Sequence, residues 1–425
     1  MTNRRHFIKQ AAAAVAVAGS ATSRSEKEGG KSSTAAGPHS ETEKAQDAVR
    51  LAIVGTGQIS HRYLKQASVS SRVRFVATCA RTMESAKARA VEYGIDRWFD
   101  DYEAMLDQSR PDAVVIATPT ALHARQAIAA FERGVHVLCE KPMATTLEEC
   151  REMVAAAEKS GKIFLNMPFD ATPQMTTALA YLNESTIGVF TGAEAQLLLP
   201  GVSRDNWYYD RKVAGGGAGL DTLVYPVSRL VTLLGPARRV SGFSNTLIPH
   251  RLLGDGKTID VVPPPRNSER SIESSVDDNA TLLIEWSTGQ QAIARALWGT
   301  SLVRNDTTIY GRHGTLWLSD GDIIIHSPER KISGGTPMTR GAYERCYSIP
   351  YKKDQRTEGL LEHFVDCIKG VTQPTCGGQQ QLHLHEILFR GYDAARSGQV
   401  QTLETTFTPW HSVDPTFHDT RTRPI

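Results

Sequence analysis

Residues 50–60 read Arg-Leu-Ala-Ile-Val-Gly-Thr-Gly-Gln-Ile-Ser, and they carry the strongest indication of the fold. An apolar β run meets a turn with two glycines, and a helical stretch follows through Gln66. The first glycine permits a tight turn, the second lets the backbone approach a pyrophosphate, and the helix start supplies free N–H groups and a positive dipole. The spacing therefore predicts a phosphate-binding turn formed by Gly55, Thr56, Gly57, Gln58 and Ile59.

The residues after this turn repeat the same alternation of strand and helix. Val73 to Cys79 is a second apolar run, an alanine-rich helix is predicted from Glu84 to Tyr93, and Asp112 to Thr118 is another buried strand. Continuous apolar strands that alternate with helices are typical of a parallel sheet covered on both faces. The sequence thus predicts an α/β Rossmann dinucleotide-binding domain with a doubly wound parallel sheet over residues 49–168.

The end of the second predicted strand bears on the choice of cofactor. Sites specific for NAD normally place a carboxylate there, on the ribose 2′-hydroxyl, whereas this chain has Arg81 and Thr82. A guanidinium could pair with a 2′-phosphate and a hydroxyl could donate a hydrogen bond to it. The pattern favours NADP(H), with NAD(H) as the alternative if Arg81 stacks over the adenine or points into solvent.

The segment Thr118-Pro119-Thr120-Ala121-Leu122-His123, a helix and then Val135 to Ala144 follow in order, and the last contains Glu140-Lys141-Pro142. This ordered set resembles the oxidoreductase family named for glucose-fructose oxidoreductase, inositol dehydrogenase and the MocA protein. The likeness runs from about Arg50 to Thr406 and is weaker in the second half. It implies that Lys141 lies beside the nicotinamide and the substrate hydroxyl, and that Pro142 fixes the turn, often after a cis peptide. It further implies cofactor contacts by Thr118, Pro119, His123, Glu140 and Lys141.

After Phe164 the apolar runs become shorter and are separated by turns. Seven runs are predicted as strands, and Ser287-Thr288-Gly289 as a hairpin turn. They indicate an α+β domain with an open, mainly antiparallel sheet over residues 169–410, as the family's substrate and oligomerisation domain has. We expect His250 to Asp278 to form a long loop, and helices near Leu360–Gly370 and Gln379–Gly398 to close this domain. The strand-like runs are Val189–Leu199, Arg239–Ser244, Asn279–Trp286, Gln290–Trp298, Thr307–Gly311, Gly314–Leu318 and Ile323–His326.

A glycine run at residues 215–219 leads to Asp221 and, four positions later, to Tyr225. It resembles the family's second motif, with Tyr225 where many members have His, Leu223 where Gly is usual and Ser228 where Asp is usual. A spacing of four would put Asp221 and Tyr225 on one helical face. Pro226 predicts a kink, or a helix that begins later than the motif suggests.

Hydride transfer from an alcohol carbon needs a group that takes the hydroxyl proton. We assign Tyr225 as acid/base, Lys141 as its electrostatic partner and substrate clamp, and Asp221 as the group that holds both substrate and Lys141. The reasoning expects the nearby ammonium to favour the phenolate of Tyr225. Trp207 and Tyr208 offer an aromatic platform for the apolar face of a sugar, or else pack between domains.

The pair His383 and His385, with Glu386, is not interpreted as a metal site. Positions i and i+2 on a helix diverge by about 200°, so the two imidazoles would point apart. Six cysteines without a C-x-x-C pair are interpreted mostly as buried thiols. We therefore predict no metal centre.

The N-terminus has the pattern of a twin-arginine export signal. Arg4 and Arg5 are followed by Phe7, Lys9 and a weakly apolar run from Ala11 to Ala18. We predict a signal over residues 1–24, a flexible tether over 25–48 and a C-terminal tail over 411–425. The protein would be exported folded by the twin-arginine translocase to the periplasm or the medium, where a dissociable cofactor would be lost, so we expect a tightly bound one that is recycled in place.

Composition limits the remaining classes of function. The 425 residues are 40% hydrophobic and 22% charged with a net charge of +2, and no basic block tracks phosphates, so nucleic acid is not expected as a partner. The leading hypothesis is an NAD(P)-dependent oxidoreductase that acts on CH–OH groups of a sugar or polyol and self-associates. A redox-neutral NAD-dependent glycosidase and a noncatalytic sugar or dinucleotide sensor stay open as alternatives.

Overall fold

The computed structural model describes residues 48–182, 186–201, 206–252, 271–319, 321–340, 343–351 and 359–411. The predicted export signal lies outside the described residues, as do all of the predicted tether except Ala48 and all of the predicted tail except His411. The interpretations of those segments therefore stay predictions.

The first domain is built on a six-stranded parallel sheet, as predicted. Its strand order is β3-β2-β1-β4-β5-β6. Strands β2 and β3 are added on one side of β1, and β4 to β6 are added on the other side, all of them parallel. β4 is buried along its whole length because helices cover both faces of the sheet. The strands are β1 (Val49–Val54), β2 (Val73–Cys79), β3 (Trp98–Phe99), β4 (Ala113–Ile116), β5 (His136–Cys139) and β6 (Phe164–Asn166).

Local sequence signals set the helix ends of this domain. The Thr82 side chain caps one helix, and Thr146 with Glu149 forms a complete capping box on another. Caps of this kind satisfy backbone N–H groups that have no partner inside the helix. The helices are α1 (Ser60–Ser68), α2 (Met83–Glu92), α3 (Tyr102–Ser109), α4 (His123–Glu132) and α5 (Leu147–Ser160), with a 3₁₀ turn at Thr120–Leu122.

The second domain contains a ten-stranded mixed sheet that is antiparallel except where β7 pairs with β12. The alternation of buried and exposed residues along β12 shows that one face of the sheet covers the core. All seven predicted strands are present within a few residues of their predicted ends, and β11 and β12 form the predicted hairpin. The strands are β7 (Phe190–Leu199), β8 (Arg239–Asn245), β11 (Asn279–Glu285), β12 (Gln291–Trp298), β13 (Arg304–Gly311), β14 (Gly314–Ser319), β15 (Asp322–His326), β16 (Thr336–Arg340), β17 (Tyr343–Ser348) and β18 (Gln401–Thr402).

The stretch from His250 to Asp278 is not wholly a loop, which corrects the prediction. β9 (His250–Leu252) and β10 (Ser271–Glu273) pair antiparallel at its two ends, and residues 253–270 lie outside the described part. The helices of this half are α6 (Pro173–Tyr181), α7 (Arg211–Ala214), α8 (Val224–Leu234), α9 (Gly359–Ile368) and α10 (Gly378–Ser397), with a 3₁₀ turn at Asn206–Tyr209.

Helix α9 packs on the first domain instead of closing the second. Leu360, Leu361 and Phe364 belong to the core between α1 and the parallel sheet. Arg72 strengthens the contact through ion pairs with Glu362 and Asp366 of 2.9 and 2.6 Å. Helix α10 continues across to β8, so the end of the chain ties the two domains together. None of the described helices combines the length and apolar character needed to cross a bilayer.

Candidate functional site

The glycine turn after β1 leaves room for another molecule against its backbone. Gly55 has a φ of 95°, and a Cβ there would lie 2.3 Å from the carbonyl oxygen of Ala117, so the chain turns tightly against the end of β4. At Gly57 an added Cβ would meet no protein atom within 4 Å. The protein itself therefore does not require glycine at this position, whereas a pyrophosphate lying against the backbone does. The turn fits the phosphates of a dinucleotide.

Arg89 of α2 braces this turn, which sequence reasoning missed. Its Nη2 donates to the carbonyl oxygen of Thr56 at 2.8 Å, across 33 positions of the chain. Thr56 and Ile59 are half-buried and Gln58 is exposed. Arg89 thus fixes the backbone of the turn from the protein side and leaves its other side open.

Arg81 and Thr82 lie where β2 leads into α2. Arg81 is exposed at the N-terminal end of α2. The hydroxyl of Thr82 donates to Ser85 Oγ at 3.0 Å and accepts the backbone N–H of Ser85 at 3.3 Å. Thr82 therefore caps the helix with its hydroxyl, and Arg81 beside it is exposed.

The loop after β4 is held by His123. Its Nδ1 lies 2.8 Å from the carbonyl oxygen of Pro142 and its Nε2 lies 2.9 Å from that of Thr118. Burial lowers the pKa of His123, so the neutral ring has one N–H to share between these two carbonyls. The Thr118 hydroxyl donates to Gln126 Oε1 at 2.6 Å, and Pro119 is half-buried. His123 thus links two loops of the site, and the cofactor contact that the resemblance implies for it stays a prediction.

Glu140 is engaged within the protein in a similar way. Its carboxylate accepts the phenol of Tyr63 at 2.5 Å and the backbone N–H of Lys141 at 3.2 Å, and Asn166 Nδ2 donates to its carbonyl oxygen at 3.0 Å. Glu140 and Tyr63 are both buried. Glu140 fixes the turn that carries Lys141 against α1, and the cofactor contact that the resemblance implies for it stays a prediction. Tyr63 was missed because 77 positions separate it from Glu140.

Lys141 and Asp221 form the ion pair at the centre of the site. Lys141 follows β5 and precedes a cis bond to Pro142. Its Nζ donates to Asp221 Oδ1 at 2.7 Å and to the carbonyl oxygen of Asp221 at 3.0 Å. The two side chains are 13% and 10% exposed. Burial lowers the pKa of Lys141, but the charges of Asp221, Tyr225 and Tyr208 together raise it well above its ordinary value. Lys141 is therefore an ammonium at neutral pH.

Tyr225 lies over this ammonium, with its ring centroid 5.0 Å from Lys141 Nζ. Asp221 and Tyr225 do not share one helix: Asp221 is in a π-helical turn, Ala218–Thr222, and Tyr225 is in the first turn of α8. Pro226 is also in that first turn, where its missing N–H has no intrahelical partner to lose, so the helix does begin later than the motif suggested.

Lys141 favours the phenolate of Tyr225, as expected, but other effects on the pKa of this phenol outweigh it. Burial raises the pKa of Tyr225, and Lys141 lowers it by less, while Glu140 and Asp221 raise it further. Tyr225 as a whole residue keeps 36% of its surface exposed, although protein atoms surround its hydroxyl group. The site therefore presents a neutral phenol and a charged ammonium side by side.

Trp207 and Tyr208 pack against each other with their ring planes tilted by 39°. Their ring centroids are 4.0 Å apart and both side chains are half-buried. Tyr208 contributes to the raised pKa of Lys141 through its charge. The next residue, Tyr209, is buried and packs edge-on against Trp298. The role of Trp207 and Tyr208 as a platform for a sugar stays a prediction.

His383 and His385 point to different partners. His383 Nε2 accepts the N–H of Ala237 at 2.9 Å, while His385 Nε2 accepts the N–H of Met143 at 2.8 Å. Burial lowers the pKa of each to about 4. In the part of the chain that the structure describes, no three His, Cys, Asp or Glu side chains are grouped to hold a metal ion, and all six cysteines are buried free thiols.

Two family models match the chain. Residues 49–167 match the GFO/IDH/MocA oxidoreductase family, described as an NAD-binding Rossmann fold, and residues 175–317 match the C-terminal domain of the same family. The two matched ranges correspond to the two domains of the structure.

Individual proteins show the same likeness. The 1,5-anhydro-D-fructose reductase of Ensifer adhaerens is 26% identical over 367 residues, which span 84% of this chain and 99% of the relative. The levoglucosan dehydrogenase of Pseudarthrobacter phenanthrenivorans is 28% identical over 253 residues, or 58% of this chain and 63% of the relative. The crystal structure of an aldose-aldose oxidoreductase from Caulobacter crescentus, complexed with glycerol, has a TM-score of 0.68 and 21% identity over 84% of this chain and all of that one. This last likeness shows the fold.

Proposed function

The chain belongs to the GFO/IDH/MocA family of NAD(P)-dependent sugar and polyol oxidoreductases, and we propose that Lys141, Asp221 and Tyr225 carry its chemistry. One observation carries the proposal: the ammonium of Lys141 is locked by Asp221 at 2.7 Å and lies under the accessible ring of Tyr225. Lys141 follows β5 and the glycine turn follows β1, so both lie at the carboxyl ends of strands of the same parallel sheet, where ligands bind in such folds. The names of the relatives support a sugar as substrate.

In the proposed mechanism Lys141 binds the reacting oxygen of the sugar. Its third N–H is free of the two bonds to Asp221, and its charge stabilises an oxygen that gains electron density. Asp221 keeps the amine charged and fixes its direction. Trp207 and Tyr208 hold the apolar face of the sugar. The nicotinamide, when bound, supplies or accepts the hydride.

Tyr225 moves the proton. In the reducing direction its phenol donates a proton to the carbonyl oxygen as that oxygen becomes a hydroxyl. In the oxidising direction the phenolate must accept the hydroxyl proton, and the raised pKa of Tyr225 makes this form scarce at neutral pH. Oxidation is therefore favoured by alkaline conditions and reduction by neutral ones.

We further propose a tightly bound cofactor that is recycled in place, with NADP(H) favoured over NAD(H). Arg81 supports the preference for NADP(H), since it is an exposed cation beside the start of α2 and no carboxylate stands in its place. An aldose-aldose oxidoreductase with the same fold supports recycling between two sugars.

The experiment that tests these proposals starts with the purified protein. It is denatured and any released nucleotide is identified: NADP(H) supports the full proposal, NAD(H) refutes the preference, and no nucleotide refutes tight binding. Sugars are then added singly and in pairs while nicotinamide absorbance is followed. Reduction by one sugar and reoxidation by a second supports recycling. Release of an aglycone without lasting absorbance change supports the glycosidase instead, and no response to any sugar supports a sensor.

We propose export by the twin-arginine translocase, on the pattern Arg4-Arg5 followed by a mild apolar run. The test is cell fractionation of the full chain and of a variant with both arginines changed to lysine. The proposal expects the unchanged chain outside the cytoplasm and the variant retained. Equal distribution of the two proteins would exclude the twin-arginine route.

We also propose self-association through the outer face of the ten-stranded sheet. Phe243, Leu283 and Ile293 are exposed, and the strand register places Leu283 opposite Ile293 on that face. Light scattering after size exclusion measures the mass. We expect the unchanged protein to be an oligomer, and the double variant Phe243→Asp/Ile293→Asp to be a monomer. If the unchanged protein is already a monomer, the proposed self-association is refuted.

A further inference from the structure

The buried carboxylate of Asp277, from a distant segment of the chain, binds the backbone of the glycine run. The backbone N–H of Gly217 donates to Asp277 Oδ1 at 2.9 Å, and that of Gly219 donates to Oδ2 at 2.6 Å. The N–H of Ala218, between them, donates to the main-chain oxygen of Asp277 at 2.9 Å. Asp277 is 4% exposed, so no bulk water competes for these three donors.

The same contact explains why this run is glycine. A Cβ on Gly217 would lie 1.8 Å from the carbonyl oxygen of Asp277, and a Cβ on Gly216 would lie 2.4 Å from the hydroxyl of Tyr392. Tyr392 completes the arrangement by donating its phenol to Asp277 Oδ1 at 2.6 Å. The glycines are therefore required by contacts with Asp277 and Tyr392 inside the protein, unlike Gly57 in the phosphate turn.

The segment that carries Asp221 begins at this run. In the π-helical turn Ala218–Thr222, the N–H of Asp221 donates to the oxygen of Gly217, and the N–H of Leu223 donates to that of Ala218, each at 2.8 Å. Such a turn is a rare form of helix and is frequent at functional sites. Its far end is fixed from outside as well, because Trp298 Nε1 donates to the Thr222 hydroxyl at 2.7 Å.

We infer that Asp277 is a positioning residue that fixes the π-helical turn in the place where the Asp221 carboxylate reaches Lys141. Asp277 acts through the backbone of Gly217 to Gly219 and bonds neither Lys141 nor Tyr225. The expected effect of Asp277 on turnover rests on the proposed function. Its effect on the position of Asp221 rests only on the hydrogen bonds of Asp277.

The neighbouring residue supplies a matched control. Asp278 is 3% exposed and also binds backbone, accepting the N–H groups of Leu247 and Ile248 at 2.9 and 2.7 Å. It pairs with the buried Arg251 at 3.0 Å as well, so its replacement should cost at least as much stability as that of Asp277. Both Asp277→Asn and Asp278→Asn put an amide NH₂ where backbone donors point, so both should lose stability. Only the first variant touches the glycine run.

The test measures how fast an amine-reactive reagent labels Lys141 at about pH 9, because only the neutral amine reacts and each unit of pKa changes its fraction about tenfold. Lys141 is faced by Asp221, Tyr225 and Tyr208, and Asp221 is the carboxylate that Asp277 would position. We expect labelling of the folded Asp277→Asn protein to be at least about tenfold faster than that of the unchanged protein. Asp278→Asn should label at the unchanged rate, and equal rates in all three proteins overturn the inference.

Turnover separates this inference from the proposed function. Asp277→Asn should lower kcat at least about tenfold with little change in nucleotide affinity, while Asp278→Asn should change neither. If the unchanged protein turns over no sugar, the proposed function is refuted. The labelling rates of Lys141 in the three proteins still test whether Asp277 positions Asp221. If Asp277→Asn does not fold, Tyr392→Phe removes one donor from Asp277 and should give a smaller acceleration, and an unchanged rate there overturns the inference.

Discussion

Replacing Asp221 by Asn tests how much the Lys141–Asp221 pair stabilises the fold. At 2.7 Å, with an effective dielectric constant of about 20, Coulomb's law gives an attraction of about 6 kcal/mol. Desolvation offsets part of this, and removing one partner of a buried pair costs about 3–5 kcal/mol because the other charge is left alone. We expect a loss of about 3 kcal/mol in the free energy of unfolding, since both side chains keep some exposure.

The assay is urea unfolding, and Glu285→Gln is the control. Glu285 pairs with Arg239 at 2.6 Å, but Arg239 is 46% exposed, so its loss should cost below about 1 kcal/mol. Pairing raises the folded pKa of Lys141 above its unfolded value of about 10.4, so the contribution is complete below about pH 10 and is lost only as the pH rises further. An Asp221→Asn loss no larger than that of Glu285→Gln would show that the buried pair does not stabilise the fold.

Three other predictions follow from the geometry. Gly57→Ala should leave stability unchanged and weaken nucleotide binding, whereas Gly55→Ala should lower stability and weaken nucleotide binding. Thermal unfolding with and without NADP(H) measures the two effects, and an equal loss of stability in the two variants contradicts the prediction. His383 and His385 are neutral in the native state with pKa values of about 4, against about 6.5 unfolded, so stability should fall by about 3 kcal/mol for each as the pH drops between these values; a flat profile in urea unfolding contradicts it. Sugar oxidation should accelerate as the pH rises above neutral and Tyr225→Phe should nearly abolish it, and a variant with unchanged turnover removes the acid/base assignment.

Most of the fold could be predicted because its signals are local. The apolar run, glycine turn and helix at residues 50–60 lie next to one another in the chain, and continuous apolar strands indicate burial on both faces. The short strands β16 and β18 carry no such signal, since Thr336–Arg340 is largely exposed. The packing of α9 on the first domain joins Arg72 to Glu362 across 290 positions, which no local pattern encodes.

In the candidate site, too, residues in local motifs could be predicted and residues that act through tertiary contacts could not. Lys141, Asp221 and Tyr225 are found from short motifs, and the structure brings all three together. The residues that hold them were not found, because Tyr63 and Asp277 act through contacts that depend on the tertiary fold. The raised pKa of Tyr225 was not predicted, because sequence shows the neighbouring lysine but not the burial of the phenol that opposes it.

Helix α10 has a consequence for the order in which the protein is made. His385 holds the N–H of Met143, two residues beyond Lys141, and Tyr392 holds Asp277 under the glycine run. Met143 is synthesised 242 positions before His385, and Asp277 is synthesised 115 positions before Tyr392. The strands of the parallel sheet therefore precede the helix that supports both sides of the Lys141–Asp221 pair, and these supports form only once α10 has been made.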